Sequence, residues 1–151
     1  MKHTLIAKNI QELYSAFRPV FQKNFEEYFP AGISPVESRF IGYIGERQEQ
    51  GISVISKDLA RDFGLKKATV SGNIASLVEK GYLEIARDRE DKRMKSLTLT
   101  PKGLEYHHKV TPILEKFDAS FNAYLTEEEI EEWNRISQKL LNAVKERSKK
   151  K

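Results

Sequence analysis

The sequence predicts a mainly helical α+β protein, with long helices on either side of a small central unit. Apolar residues recur at spacings of three and four over most of the 151 residues, as in amphipathic helices. Two short central segments instead alternate apolar and polar residues, as paired strands do. Prolines and glycines separate the segments where helices begin and end.

The first helix is predicted over residues 4–29, where apolar side chains form one broad stripe. Pro19 lies inside it and should bend the helix or interrupt its hydrogen bonds. Pro30 and Gly32 should end it.

A capping box marks the second helix, with Ser34 as the N-cap, Pro35 in the first turn and Glu37 at the third position. This helix should run to about residue 50, where Gly51 stops it. Residues 52–54 are short and β-branched, and predict one small strand. The inward-facing residues of the helix are expected to be Val36, Phe40, Ile41 and Ile44.

Two further helices are predicted around Gly64. Ser56 should cap the first, which is about two turns long. The second should span residues 65–80 and stop at Gly81. Its buried stripe is expected to comprise Val70, Ile74, Leu77 and Val78.

Residues 82–85 and 96–99 predict a β-hairpin with a long charged tip. Thr100 and Pro101 should open the next helix, which Pro112 should kink. Thr126 and Glu129 form a second capping box at the start of the last helix. The outer helices carry more aromatic residues than a two-helix contact needs, and we therefore expect a homodimer.

Charge and composition narrow the possible functions. Residues 57–102 hold 11 Lys/Arg against 7 Asp/Glu, a net +4 that equals the net charge of the whole chain. A cationic surface at this position suits phosphate binding. Cysteine is absent, which excludes disulfides and thiol chemistry. No apolar run approaches the length of a membrane span and the first residues do not form a signal peptide, so we expect a cytoplasmic protein.

A helix-turn-helix followed by a basic β-hairpin is typical of nucleic-acid binding. The second helix of such a motif lies in the major groove, where outward side chains reach base edges and flanking ones reach phosphates. Arginines at a hairpin tip can enter the minor groove. With Ala68, Thr69, Gly72 and Ser76 facing outward, the candidate helix residues are Lys66, Lys67, Ala68, Thr69, Ser71, Gly72, Asn73 and Ser76. The candidate hairpin residues are Arg87, Arg89, Lys92, Arg93 and Lys95, with Asp91 expected to brace an arginine within the tip.

The chain resembles the MarR family of winged helix-turn-helix regulators. The resemblance rests on Gly64-Leu65, on Leu77 through Leu83, on Asp91-Lys92-Arg93 and on Leu97-Thr98-Leu99-Thr100-Pro101-Lys102-Gly103. It implies a homodimeric bacterial regulator that binds a pseudo-palindromic operator on double-stranded DNA. We expect a repressor, although the position of the operator decides between repression and activation. It also implies three regions: an N-terminal dimerisation helix (residues 1–33), the DNA-binding domain (34–101, with its recognition helix at 65–80 and its wing at 82–100) and C-terminal dimerisation helices (102–151).

The family also implies a small-molecule effector, bound where the dimerisation helices meet the DNA-binding domain. The candidate pocket residues are Phe17, Phe21, Phe40 and Tyr43, for which core packing is the better interpretation. Lys66 and Gly72 replace a serine and an arginine common in the family. Asn73 is hypothesised to compensate by binding adenine.

Two other features of the sequence, a histidine pair and the residue types of an enzyme site, point to other functions. His107 and His108 suggest a metal, but adjacent helical positions point about 100° apart. A surface or interface role is therefore expected for both, with no metal and no cofactor. An enzyme lacks support, because no phosphate loop, metal-ligand spacing or activated nucleophile is recognisable. The alternative function is a winged-helix module that acts mainly through protein–protein contacts, with weak or non-specific DNA binding.

Overall fold

The computed structural model describes residues 5–25, 32–88 and 90–150. The chain divides into two compact units, Met1–Ser34 and Pro35–Lys151, and each is described by itself. The division into three functional regions at residues 33 and 101 stays a prediction. Within the described residues, no helix is both long enough and apolar enough to cross a membrane.

The first unit contains helix α1, Ile6–Phe25, which continues through Pro19. Its apolar side chains are largely exposed, with Tyr14 at 62% and Leu13 at 55%. The rings of Phe17 and Phe21 stack with their centroids 5.5 Å apart. Residues 26–29 of the predicted helix, and Pro30 after it, lie outside the described residues.

The second unit has five α-helices, one 3₁₀ turn and three strands among its described residues. In chain order these are α2 (Pro35–Glu49), β1 (Val54–Ile55), α3 (Ser56–Phe63), α4 (Lys67–Glu79), β2 (Leu83–Arg87), β3 (Lys95–Leu99), α5 (Pro101–Ala119), the 3₁₀ turn (Ser120–Ala123) and α6 (Glu127–Lys149). The strands form an antiparallel sheet in the order β1-β3-β2. The predicted mainly helical α+β class is confirmed.

The core of this unit lies where α2, α3, α4 and the sheet meet. Its fully buried side chains are Phe40, Ile41, Ile44, Val54, Leu59, Val70, Leu77 and Leu83. The sheet is joined to α2 by Gln48, whose Oε1 accepts a hydrogen bond from the backbone N–H of Leu99 at 2.8 Å. The hairpin and the helix-turn-helix therefore share one core.

Several local details differ from the sequence predictions. The N-cap of α3 is Ile55, not Ser56, and Asp58 Oδ2 accepts the Ile55 N–H at 2.9 Å. The short strand begins at Val54 rather than Ile52, because it pairs with β3 through Val54 and Leu97. Val78 is 38% exposed, so it does not belong to the buried stripe of α4. The capping box at Thr126 and Glu129 is confirmed.

Gly103 explains why a glycine follows Thr100-Pro101 at the start of α5. A Cβ built on Gly103 would overlap the carbonyl oxygen of Tyr82 and lie 3.2 Å from the Cβ of Leu99. Thr100 caps this helix by accepting the Gly103 N–H at 3.1 Å. The absence of a side chain at Gly103 lets α5 begin against the end of the hairpin.

The two histidines of α5 correct another expectation. His107 is buried, and a Cβ on Gly45 of α2 would lie 2.6 Å from its ring. Glu49 Oε1 lies 2.8 Å from His108 Nε2 and 3.6 Å from His107 Nε2, so one carboxylate reaches both rings. The rings diverge along the helix, but Glu49 approaches from α2 and bridges them. His108 is exposed, as a surface role requires, whereas His107 is buried between α2 and α5 and has no surface role.

Candidate DNA interface

The turn between α3 and α4 has helix-turn-helix geometry. Gly64 adopts the left-handed conformation (φ 62°, ψ 36°), which a glycine accepts without steric cost. The N–H of Leu65 closes the turn by donating to the carbonyl of Ala60 at 3.1 Å. Leu59 and Val70 are buried on the facing sides of the two helices. This packing fixes α4 against α3 and turns one side of α4 toward solvent.

The exposed side of α4 carries most of the predicted recognition residues. Lys66 is the N-cap of α4, and its side chain does not accept a hydrogen bond from the N–H groups of the first turn. The exposed candidates are Lys66, Lys67, Ala68, Thr69, Ser71 and Gly72. A Cβ on Gly72 would meet nothing within 4 Å. The surface at Gly72 is therefore open to an approaching molecule.

Asn73 is partly buried beside this surface, and its Nδ2 donates to the carbonyl of Thr69 at 2.8 Å. Its side chain is therefore held against its own helix. The proposed contact with adenine would require this amide to turn outward.

The expected outward position of Ser76 is wrong. Its hydroxyl donates to Glu37 Oε1 at 2.7 Å, and Lys80 Nζ lies 2.8 Å from Glu37 Oε2. Glu37 is buried, with 5% of its surface exposed. A buried carboxylate needs polar partners, and Ser76 and Lys80 supply them across α2 and α4. The two residues thus join the C-terminal end of α4 to α2.

The wing is defined as β2, β3 and their connecting tip. Arg87, the last residue of β2, pairs with Lys95, the first residue of β3, so two cations lie opposite each other at the base of the tip. The Arg93 side chain is 94% exposed, and its Nε lies 3.7 Å from Asp91 Oδ1. The same carboxylate oxygen accepts the N–H of Arg93 at 3.0 Å. Asp91 thus contacts Arg93 within the tip. Lys92 is exposed as well, and Arg89 lies outside the described residues.

Asp88 is a wing residue that the sequence did not single out. Its Oδ1 accepts the hydroxyl proton of Ser53 at 2.5 Å, and its Oδ2 accepts the N–H of Asp91 at 3.2 Å. Ser53 precedes β1, so Asp88 connects the wing to the opposite edge of the sheet. An aspartate at the start of a turn is a recognisable signal, but its partner 35 residues away is not.

The residues predicted for an effector pocket lie in both units. Phe40 is fully buried, with its ring 5.1 Å from that of Phe63. Tyr43 is half-buried, and Arg47 stacks on its ring. Phe17 and Phe21 belong to α1. The pocket stays a prediction.

Asp62 of α3 lies at a cluster of charges. Tyr43 donates its hydroxyl to Asp62 Oδ2 at 2.5 Å, and Arg61 Nε donates to Oδ1 at 2.9 Å. The hydrogen bond from Arg61 holds the pKa of Asp62 well below its usual value. Burial and the bond to Asp62 raise the pKa of Tyr43 to about 12. Asp62 is therefore a carboxylate at neutral pH.

The comparisons with known proteins fit this geometry. The MarR family model matches residues 31–94, which include α2, the helix-turn-helix and most of the wing. The HTH-type transcriptional regulator BilQ of Clostridium symbiosum is 27% identical over 136 residues, covering 87% of this chain and 92% of its own length. Residues 31–94 of the chain are therefore similar to the MarR family.

A second relative, the HTH-type transcriptional regulator Hpr of Bacillus licheniformis, is 29% identical over 123 residues. The match covers 80% of this chain and 56% of that relative. Among solved structures, Staphylococcus aureus MepR in its DNA-binding conformation has a TM-score of 0.78 at 20% identity, covering 92% of this chain and 98% of MepR. The S. aureus MepR–DNA complex has a TM-score of 0.72 at 20% identity, and the match covers 94% of this chain and 99% of that chain.

These similarities confirm the winged-helix MarR fold. Together with the matching family model and regulators, they identify the protein as a DNA-binding transcriptional regulator.

Proposed function

We propose that the protein is a homodimeric repressor that binds a pseudo-palindromic operator. Each protomer places α4 in a major groove and the wing in the adjacent minor groove. The two subunits then occupy half-sites separated by about one helical turn of DNA or a multiple of it. The protein meets the chromosome in the cytoplasm and acts by occupying DNA, not by catalysis.

One observation carries this proposal, namely that the exposed side of α4 and the basic wing are parts of one packed unit. Leu77 of α4, Leu83 of β2 and Leu99 of β3 are buried together. The lysines at the start of α4 and the cations of the wing therefore keep a fixed relation. A fixed pair of cationic elements suits the phosphate contacts that position a protein on a duplex.

Relief of repression by a small molecule is the second part of the proposal. A solved relative, the heme sensor PefR of Streptococcus agalactiae in complex with heme, has a TM-score of 0.58 at 20% identity. PefR supports the proposal that this protein has an effector, but it does not identify the chemistry of that effector. An effector that favours a dimer with wrongly spaced recognition helices would release the operator. The candidate pocket residues are Phe17, Phe21, Phe40 and Tyr43.

The first test recovers genomic fragments that the protein retains and measures their affinity over a range of salt concentrations. Lys67→Ala should lower the slope of log K against log salt by about 1, because each phosphate contact contributes roughly that much. Lys139→Ala is the matched control. It removes an exposed lysine from α6 and should leave the slope unchanged.

Equal effects of the two lysine variants would contradict the placement of α4 in the groove. Equal affinity for a retained fragment and for random DNA would contradict sequence-specific binding, and would favour a module that acts through protein contacts.

A further inference from the structure

Asp62 joins three helices of the second unit. It lies on α3 and accepts hydrogen bonds from Arg61 of the same helix and from Tyr43 of α2. Lys145 of α6 completes the cluster, with its Nζ 3.6 Å from Asp62 Oδ1. The Asp62 side chain is only 16% exposed, which shields this ion pair partly from solvent.

The ion pair matters because α6 is otherwise weakly embedded in the described unit. Trp133 and Leu141 of α6 are 54% and 52% exposed. A helix without deep packing can change its angle to the DNA-binding domain at little cost. Lys145 restricts that angle by holding α6 at the first helix of the helix-turn-helix.

We propose that the Lys145–Asp62 ion pair determines which half-site spacing the dimer accepts. The inference rests on the proposed function, in which α6 belongs to the dimerisation helices. The angle between α6 and α3 then sets the distance and rotation between the two copies of α4. One added base pair moves a half-site by about 3.4 Å and rotates it by about 35°. A dimer whose domains are held at a fixed angle tolerates that change poorly.

Lys145 is the better residue to change, because Asp62 keeps other partners when Lys145 is lost. Arg61 and Tyr43 still bond its two oxygens, and Arg47 lies 4.0 Å away. Lys145→Gln therefore leaves no buried charge without a partner, and the fold should persist.

The experiment measures the affinity of the full chain for its operator and for operators with one base pair inserted or removed between the half-sites. The quantity compared is the ratio of the affinity for the native spacing to the affinity for an altered spacing. Lys145→Gln should reduce this ratio by about threefold, a change typical of one partly exposed ion pair. Lys145→Arg preserves the pair and should retain the wild-type ratio. Lys139→Gln removes the same charge from another side of α6 and should also retain it.

An unchanged ratio in Lys145→Gln would overturn the inference while leaving the proposed function intact. An equal loss of affinity at every spacing would also overturn it, since that result indicates only a general stabilising role. Wild-type protein that does not prefer its operator over random DNA would instead overturn the proposed function, and this inference with it.

Discussion

At the scale of single residues, side chains on one helix have separate roles. Thr69 and Lys67 of α4 face solvent, whereas Ser76 is directed to the buried carboxylate of Glu37. At Gly72, which lies between Thr69 and Ser76 in the sequence, a Cβ would meet nothing within 4 Å. The exposed N-terminal part of α4 is thus available to DNA, and its C-terminal part is held by α2.

Tyr43 gives a prediction about pH at this scale. Its pKa is raised to about 12 by burial and by its bond to Asp62, against about 10 in an unfolded chain. The stability that Tyr43 contributes is therefore complete below about pH 10 and is lost as the pH rises toward about 12. Tyr43→Phe removes this titration, so its free energy of unfolding should fall less steeply in that window.

Urea unfolding at a series of pH values measures the difference. Tyr124→Phe, which removes a hydroxyl from a side chain 83% exposed, is the control. Identical pH profiles for wild type and Tyr43→Phe would show that the phenol is not protected by Asp62.

At the scale of elements, close backbone contacts decide how the helices join the sheet. The start of α5 lies against Tyr82, which precedes β2, and Gly103 makes that approach possible. The connection matters for DNA binding, because the same hairpin forms the wing. The glycine and the preceding Thr100-Pro101 cap therefore act together as one junction.

Gly103→Ala should lower the free energy of unfolding by about 1–3 kcal/mol, since the added Cβ overlaps the Tyr82 carbonyl and forces the backbone to shift. Gly42→Ala is the matched control within α2, where a Cβ meets nothing within 4 Å. Alanine is the better helix former, so that variant should gain up to about 1 kcal/mol. Chemical denaturation measures both, and stabilisation by both substitutions would refute the proposed contact.

At the scale of the whole molecule, the apolar surfaces of α1 and α6 require an explanation. In α1, Ile10 is 49% exposed and Leu13 is 55% exposed. In α6, Trp133 is 54% exposed. Exposed apolar side chains in this density mark an interaction surface on each of the two helices. In the proposed homodimer, a second copy of the chain covers them and brings two copies of α4 to one operator.

Sedimentation equilibrium at micromolar concentration should show a dimer. Ile136→Glu should weaken it, because a charge would replace an apolar side chain on α6 that is 40% exposed. Gln138→Glu introduces the same charge at a polar, exposed position nearby and should remain dimeric. A wild-type monomer under these conditions would contradict the homodimer and the operator geometry that depends on it.

Local signals in the sequence determined most of the secondary structure. Caps at Thr100 and Thr126, the turn at Gly64 and the alternation of the hairpin lie within a few residues of what they control. Their physics is local, so a single sequence displays it. The same holds for the candidate wing residues, which are simply the cations of a charged tip.

Only the tertiary structure decided where the polar side chains of the core and the helix junctions are directed. Ser76 has the spacing of an outward residue, yet Glu37, 39 positions earlier, accepts its hydroxyl. His107 is buried because α2 offers Gly45 where the helices cross, and Lys145 reaches Asp62 because α6 returns to α3. Periodicity reports which face of a helix is apolar, but a buried polar group is directed by partners distant in the chain. Packing brings those partners together, and it therefore settled which predicted recognition residues face solvent.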